Sequence, residues 1–195
     1  MTILLTGFEP FGGAERNPSW EAVRLVPDAV GGHEVRRLRL PAEYGNAAAL
    51  LRAEIARLHP DVVISVGVAN GRKAVTPELV AVNYRFASIP DNAGVSHRGD
   101  QIVPDGPAAY MTALPVHDMI AAMTGAGIPA QLSLSAGAYV CNDVYYALLG
   151  CEGEFGHKGL FVHVPGTEIV SVEDMARALT LCIETALKGV RHADC

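Results

Sequence analysis

A chain of 195 residues that is half apolar and 18% charged can bury a core without disulfides or metals, and is too apolar to stay disordered. It is expected to form one domain, residues 1–195. Fifteen basic and 21 acidic side chains leave a formal charge of −6, which disfavours nucleic acid and anionic membrane surfaces as partners.

No cluster of Lys and Arg is longer than the Arg36-Arg37 pair. The apolar runs are too short to span a bilayer. Met1 to Gly7 carries no basic leader and no cleavage site, so it reads as a first buried strand, and a cytoplasmic location is expected.

In chain order, Ile3 to Thr6 is a short apolar strand ending at Gly7. Asn17-Pro18-Ser19-Trp20 has the form of a helix start, with Asn as N-cap and Pro at the first helical position. Val35 to Leu40 alternates as a strand. Ala47 to Leu58 places Leu50, Leu51, Ile55 and Leu58 at helical spacing until Pro60 stops it. Val62 to Val66 is a continuous apolar run, the mark of a strand covered on both faces. Leu79 to Tyr84 is a further candidate strand.

The second half continues the alternation. Val116 to Met123 reads as a helix, Gln131 to Ser135 as a strand, Asn142 to Leu149 as a helix and Leu160 to Val164 as a strand. Ser171 to Leu187 closes the chain as a helix with Met175, Leu179, Cys182, Ile183 and Ala186 on one face. Such alternation implies a three-layer α/β/α sandwich around a mostly parallel, twisted sheet. Sites in such sheets form at the carboxyl ends of strands.

Four cysteines, at 141, 151, 182 and 195, form no CxxC pair, which weakens zinc and thioredoxin readings. Cys141 follows small residues that turn the chain from strand into helix. In the first turn of a helix, amides and macrodipole favour a thiolate and can donate to an oxyanion. The competing reading is a small core residue. Cys182 lies on an apolar helical face; Cys151 and Cys195 have no activating setting.

A thiol nucleophile needs a base. His163 is the one polar side chain in Leu160-Phe161-Val162-His163-Val164, just before Pro165-Gly166, and so stands at a strand's carboxyl end. It competes with a structural reading; Glu78, which follows the loop Gly67-Val68-Ala69-Asn70-Gly71-Arg72, is one candidate to orient the imidazole and competes with an ordinary solvated loop glutamate. Gly7-Phe8-Glu9-Pro10-Phe11-Gly12-Gly13 is neither GxGxxG nor a Walker loop. Its two aromatic rings suit the floor of a small-ligand pocket, or the packing of a tight turn.

Several of these segments together resemble the pyroglutamyl peptidase type I family. Thr6-Gly7-Phe8-Glu9-Pro10-Phe11-Gly12-Gly13 with Asn17-Pro18-Ser19 is similar to its N-terminal signature. Gly71-Arg72, Thr76-Pro77-Glu78 and Val80-Ala81-Val82-Asn83 resemble its glutamate region, and Ile89-Pro90-Asp91-Asn92 and Gly106-Pro107-Ala108-Ala109-Tyr110 two more motifs. Ser135-Ala136-Gly137 with Val140-Cys141-Asn142 resembles the nucleophile motif, and His163-Val164-Pro165 the histidine motif.

The resemblance implies a phosphorylase/hydrolase-like fold and a cysteine peptidase without metal or organic cofactor. Cys141 would attack, His163 act as acid and base, and Glu78 orient His163. Phe8 and Phe11 would flank a lactam ring, with Val68, Tyr139 and Val140 completing the pocket. Peptides with N-terminal pyroglutamate are the implied partners, and a homo-tetramer the implied assembly. Ser88 stands where the family usually has arginine, Val68 where glutamine is frequent, Leu79 where arginine is common and Leu134 where a polar residue is usual. Two other readings stay open at this point: a nucleoside phosphorylase-like enzyme of the same fold, and a lactam- or peptide-binding protein without turnover.

Overall fold

The computed structural model describes the backbone of residues 1–193 and the side chains of residues 1–189. Cys195 and the His192 side chain lie outside the described residues. In chain order the elements are β1 (Thr2–Phe8), α1 (Pro18–Leu25), β2 (Ala29–Val30), β3 (His33–Leu40), α2 (Asn46–Leu58), β4 (Val62–Val68), β5 (Thr76–Pro77), β6 (Val80–Val82), β7 (Arg85–Phe86) and β8 (Arg98–Asp100). There follow β9 (Ala109–Met111), α3 (Val116–Gly125), α4 (Val140–Gly150), α5 (Glu152–Phe155), β10 (Lys158–Val164) and α6 (Val172–Ala193).

The main sheet has the order β2-β3-β1-β4-β10-β5. The four inner strands are parallel, and the short strands β2 and β5 close the two edges antiparallel. Helices α1, α3 and α6 cover one face; α2 and α4 cover the other. The expected three-layer α/β architecture is the one that forms. Among the described residues no helix is long and apolar enough to cross a membrane.

Period-two alternation decides which side chains meet. Ile3, Leu5, Val62, Ile64, Val66, Leu160, Val162 and Val164 belong to the core under α1, α3 and α6. Leu4, Phe8, Val63 and Phe161 belong to the core under α2 and α4. His163 is two residues beyond Phe161, so it shares the α4 face, and its register partner on β4 is Gly67. The face that packs α4 is therefore the face that carries the histidine. On the opposite side, Met175, Leu179, Cys182, Ile183 and Ala186 of α6 are all fully buried, as their helical spacing predicts. Burying a Leu, Ile or Met side chain contributes about 1.5–3 kcal/mol each relative to exposure.

Helix α1 begins as its sequence indicates: the Asn17 side chain accepts from the Ser19 amide at 3.0 Å. Ser19 Oγ then accepts from the Phe8 amide at 3.1 Å. Gly7 lets α1 lie directly on β1, since a Cβ there would stand 2.9 Å from the Trp20 Cα. The chain that carries Phe8 and Phe11 is thus pinned between a strand end and a helix start.

Two expected strands differ from the structure. Only Val80–Val82 of the Leu79 to Tyr84 segment is strand, and it pairs with β9 away from the main sheet. Gln131 to Ser135 is extended but not a regular strand; it meets the β5 region through the isolated bridges Val75↔Ala130 and Glu78↔Ser133. Pro77 lies between those bridges and has no amide to donate, so no continuous ladder can form.

Candidate active site

Cys141 lies in the first turn of α4, after the N-cap Tyr139. Its neighbour Asn142, fully buried, clamps that turn to β6: Asn142 Nδ2 donates to Val82 O at 2.9 Å, and Val82 N donates to Asn142 Oδ1 at 3.0 Å. One turn later Tyr145 donates its hydroxyl to Glu78 O at 2.8 Å. Glu78, just beyond β5, is fully buried and its amide donates to Phe161 O of β10 at 2.9 Å. Its carboxylate Oε1 stands 2.7 Å from His163 Nδ1. Arg72 Nη1 reaches the same oxygen at 2.7 Å. The structure therefore brings Glu78 and His163 into contact, and seats His163 and Cys141 on one cavity.

The cavity is small, about 120 Å³, and is lined by Phe8, Phe11, Asn17, Ala42, Val68, Ala136, Tyr139, Val140, Cys141 and His163. Every residue singled out from the sequence for the pocket is on this list. Asn17, Ala42 and Ala136 are the additions. Among the lining residues there is no carboxylate. The Asn17 amide is already engaged, accepting from Ser19 and donating to Glu9 O at 2.9 Å. A larger groove of about 480 Å³ lies outside α1 and α6, lined by Leu25, Ala176, Leu181 and others, and holds none of the candidate side chains.

The environment differs from the sequence expectation at the thiol. Burial pushes Cys141 up to about 12, Glu78 adds to the rise, and Arg72 opposes it. A helix terminus stabilises a charge by at most about 2 kcal/mol even when partly buried, and desolvating a sulfur anion outweighs that here. Burial also holds His163 below its ordinary value, with Glu78 pulling the other way. Burial thus favours the neutral form of both the thiol and the imidazole. Cys151 and Cys182 are buried core thiols, raised by burial to about 11 and about 12.

The whole described fold, and nearly the whole chain, matches one family: residues 1–194 fit the pyroglutamyl peptidases. The chain belongs to that family of cysteine peptidases. It is 40% identical to the pyrrolidone-carboxylate peptidase of Lactobacillus helveticus, an alignment covering 95% of this chain and 98% of the relative. It is 42% identical to the one from Escherichia fergusonii, covering 95% and 92%. Among solved structures, pyroglutamyl peptidase I of Bacillus amyloliquefaciens superposes with a TM-score of 0.91 at 38% identity, over 96% of this chain and 97% of that one. The pyrrolidone carboxyl peptidase of Pyrococcus furiosus gives 0.91 at 35% identity, over 96% and 99%. Neither the phosphorylase-like nor the binding-only reading finds support among these relatives.

The four residues expected to depart from the pyroglutamyl peptidase pattern take these places. Val68 lines the cavity. Leu79 is partly buried against the sheet core. Leu134 is two-thirds exposed, and Ser88 is exposed. Three residues before Ser88, Arg85 is engaged elsewhere: its Nε donates to buried Asp143 at 2.6 Å, and its guanidinium lies over the Tyr44 ring.

Gly67 escaped the sequence reading. A Cβ there would stand 2.8 Å from Cys141 Sγ and 2.9 Å from Phe161 Cζ, so the thiol occupies space that only glycine leaves. The available signal was a glycine inside an apolar strand, a mark of close approach. Gly67→Ala is expected to displace the sulfur, lowering kcat by about 10–100-fold, as misplacement by an ångström does, while the melting temperature falls by a few degrees. Wild-type turnover in that variant would show that the sulfur's position is not critical.

Proposed function

We propose that this protein hydrolyses the N-terminal pyroglutamyl residue from peptides through a thioester on Cys141. The observation that carries the reading is the 2.7 Å contact between Glu78 Oε1 and His163 Nδ1, with His163 and Cys141 lining one small aromatic cavity. With Nδ1 donating to the carboxylate, Nε2 is left as the acceptor.

In the first half-reaction Cys141 passes its proton to His163 Nε2 as its sulfur attacks the pyroglutamyl carbonyl carbon. With burial favouring the neutral thiol and the neutral imidazole, the proton moves as the bond forms. Negative charge develops on the carbonyl oxygen. The Cys141 amide, a first-turn N–H with no intrahelical carbonyl to bond, can donate to it. The C–N bond breaks, the leaving amine takes the proton from His163, and the shortened peptide departs. In the second half, His163 removes a proton from water, hydroxide adds to the thioester carbon, the C–S bond breaks, and the sulfur recovers the proton. Pyroglutamic acid leaves.

The pocket suits a flat, uncharged lactam. Such a ring fits between Phe8 and Phe11. An α-ammonium would enter a cavity without a carboxylate. An unpaired buried charge costs about 3–5 kcal/mol, or ~10²–10⁴-fold in kcat/KM. Hydrolysis of chromogenic pyroglutamyl, glutamyl and glutaminyl amides tests the proposal: the first should be cleaved and the other two disfavoured by that factor. Comparable cleavage of the glutamyl amide would sink the pocket assignment, and no cleavage of the pyroglutamyl amide would sink the reaction.

A further inference from the structure

Glu78 presents an electrostatic problem that His163 alone does not solve. The carboxylate is fully buried, and among the described residues its Oε2 has no hydrogen-bond partner. A buried carboxylate is costly unless charged or hydrogen-bonding partners offset its desolvation. The carboxylate also acts against the nucleophile, since its negative charge opposes a thiolate on Cys141.

Arg72 meets both difficulties. Its Nη1 lies 2.7 Å from Glu78 Oε1, the oxygen that also receives His163 Nδ1. Nη1 also donates to Thr76 Oγ1, and Nη2 donates to Ser135 O at 3.3 Å. Thr76 Oγ1 in turn reaches His163 O at 3.3 Å. One guanidinium thus ties together the turn after β4, the β5 segment that carries Glu78, and the loop leading into α4. Its side chain is 22% exposed, so the charge is only partly screened.

Resting on the triad reading above, we infer that Arg72 is a positioning residue of the catalytic centre: its guanidinium holds the Glu78 carboxylate aimed at His163 and ties it to the loop that leads into the Cys141 helix. The charged and titratable groups around the pair are few. Glu78 and Arg72 come from the β4–β6 connection, Tyr139 from the cap of α4, Cys141 and Tyr145 from α4, and His163 from β10. Burial keeps the Tyr145 hydroxyl protonated. Arg72 is the one cation in this set, and its field lowers both Cys141 and His163.

The role has a signature that a structural salt bridge lacks. Removing a cation raises the pKa of an imidazole and of a thiol alike. In Arg72→Met the acid limb of kcat/KM against pH should therefore move to higher pH, and so should the pH at which iodoacetamide alkylates Cys141. Turnover should fall by about 10–100-fold, the usual cost of losing a group behind the reacting ones, with KM little changed. Arg72→Lys should return both pH midpoints close to wild type but recover only part of kcat, because an ammonium lacks the planar fork. Unshifted pH midpoints in a folded Arg72→Met would overturn the inference. If Arg72→Met does not fold, the lysine variant decides alone: wild-type kcat would refute the positioning role, and a loss of about tenfold or more with unmoved pH midpoints would support it. Cys141→Ala, assayed alongside, separates this outcome from a failure of the triad itself, which would show as retained hydrolysis.

Discussion

Cys141→Ala is expected to lower kcat by on the order of 10⁶, His163→Ala by about as much, and the double variant by no more than either. Nucleophile and base act as one unit: without the sulfur there is no acyl acceptor, and without the imidazole a thiol raised to about 12 has nowhere to send its proton. Binding should separate from turnover. Cys141 contributes one of ten lining residues to the cavity, and the aromatic walls Phe8 and Phe11 remain in both variants. Pyroglutamate should therefore still bind to Cys141→Ala by calorimetry, and should still shield Cys141 from iodoacetamide in His163→Ala. His163 packs against Phe161, with ring centroids 4.8 Å apart, so its alanine variant must first be shown to fold. Retained hydrolysis in Cys141→Ala would remove the thioester route altogether.

How far the sequence carries depends on which force is local. The strands β1, β4 and β10 are legible because each is buried on both faces and reads as an apolar run. His163 is legible as the polar interruption of such a run, and Cys141 by its place where small residues turn a strand into a helix. Glu78 is legible as one candidate by its place after the loop that follows β4, but only the family resemblance prefers it to an ordinary solvated loop glutamate. At the thiol the helix terminus is a feature of local sequence, whereas the desolvation that opposes it arises only once folding brings β4, with Gly67, against the sulfur. Arg72 lies six residues from Glu78 and reads as a loop residue until the turn after β4 folds it back over β5. The expected strand at Gln131 to Ser135 failed for a comparable reason, as its partner segment carries Pro77, whose missing amide matters only once the two lie side by side.

Glu78 should matter less than the pair it serves, and by an amount that depends on the replacement. Glu78→Ala removes orientation, charge and volume together, and a drop in kcat of about 10⁴ is the precedent for losing a triad carboxylate. Glu78→Gln should cost roughly tenfold less, for a reason specific to this site. Two donors, His163 Nδ1 and Arg72 Nη1, converge on Oε1. The glutamine carbonyl must therefore occupy that position, which keeps the imidazole in the tautomer with Nε2 free. The amide nitrogen is then forced to the place of Oε2, where the carboxylate has no partner. An unsatisfied buried amide costs about 1–3 kcal/mol of stability. The acid limb supplies the diagnostic. Glu78 raises His163 and Arg72 lowers it, so removing the anion while keeping the cation should move that limb to lower pH, opposite to Arg72→Met. A kcat/KM profile across pH 4–8 would show both displacements. A silent Glu78→Gln, with wild-type kcat and an unmoved acid limb, would mean that another acceptor holds His163.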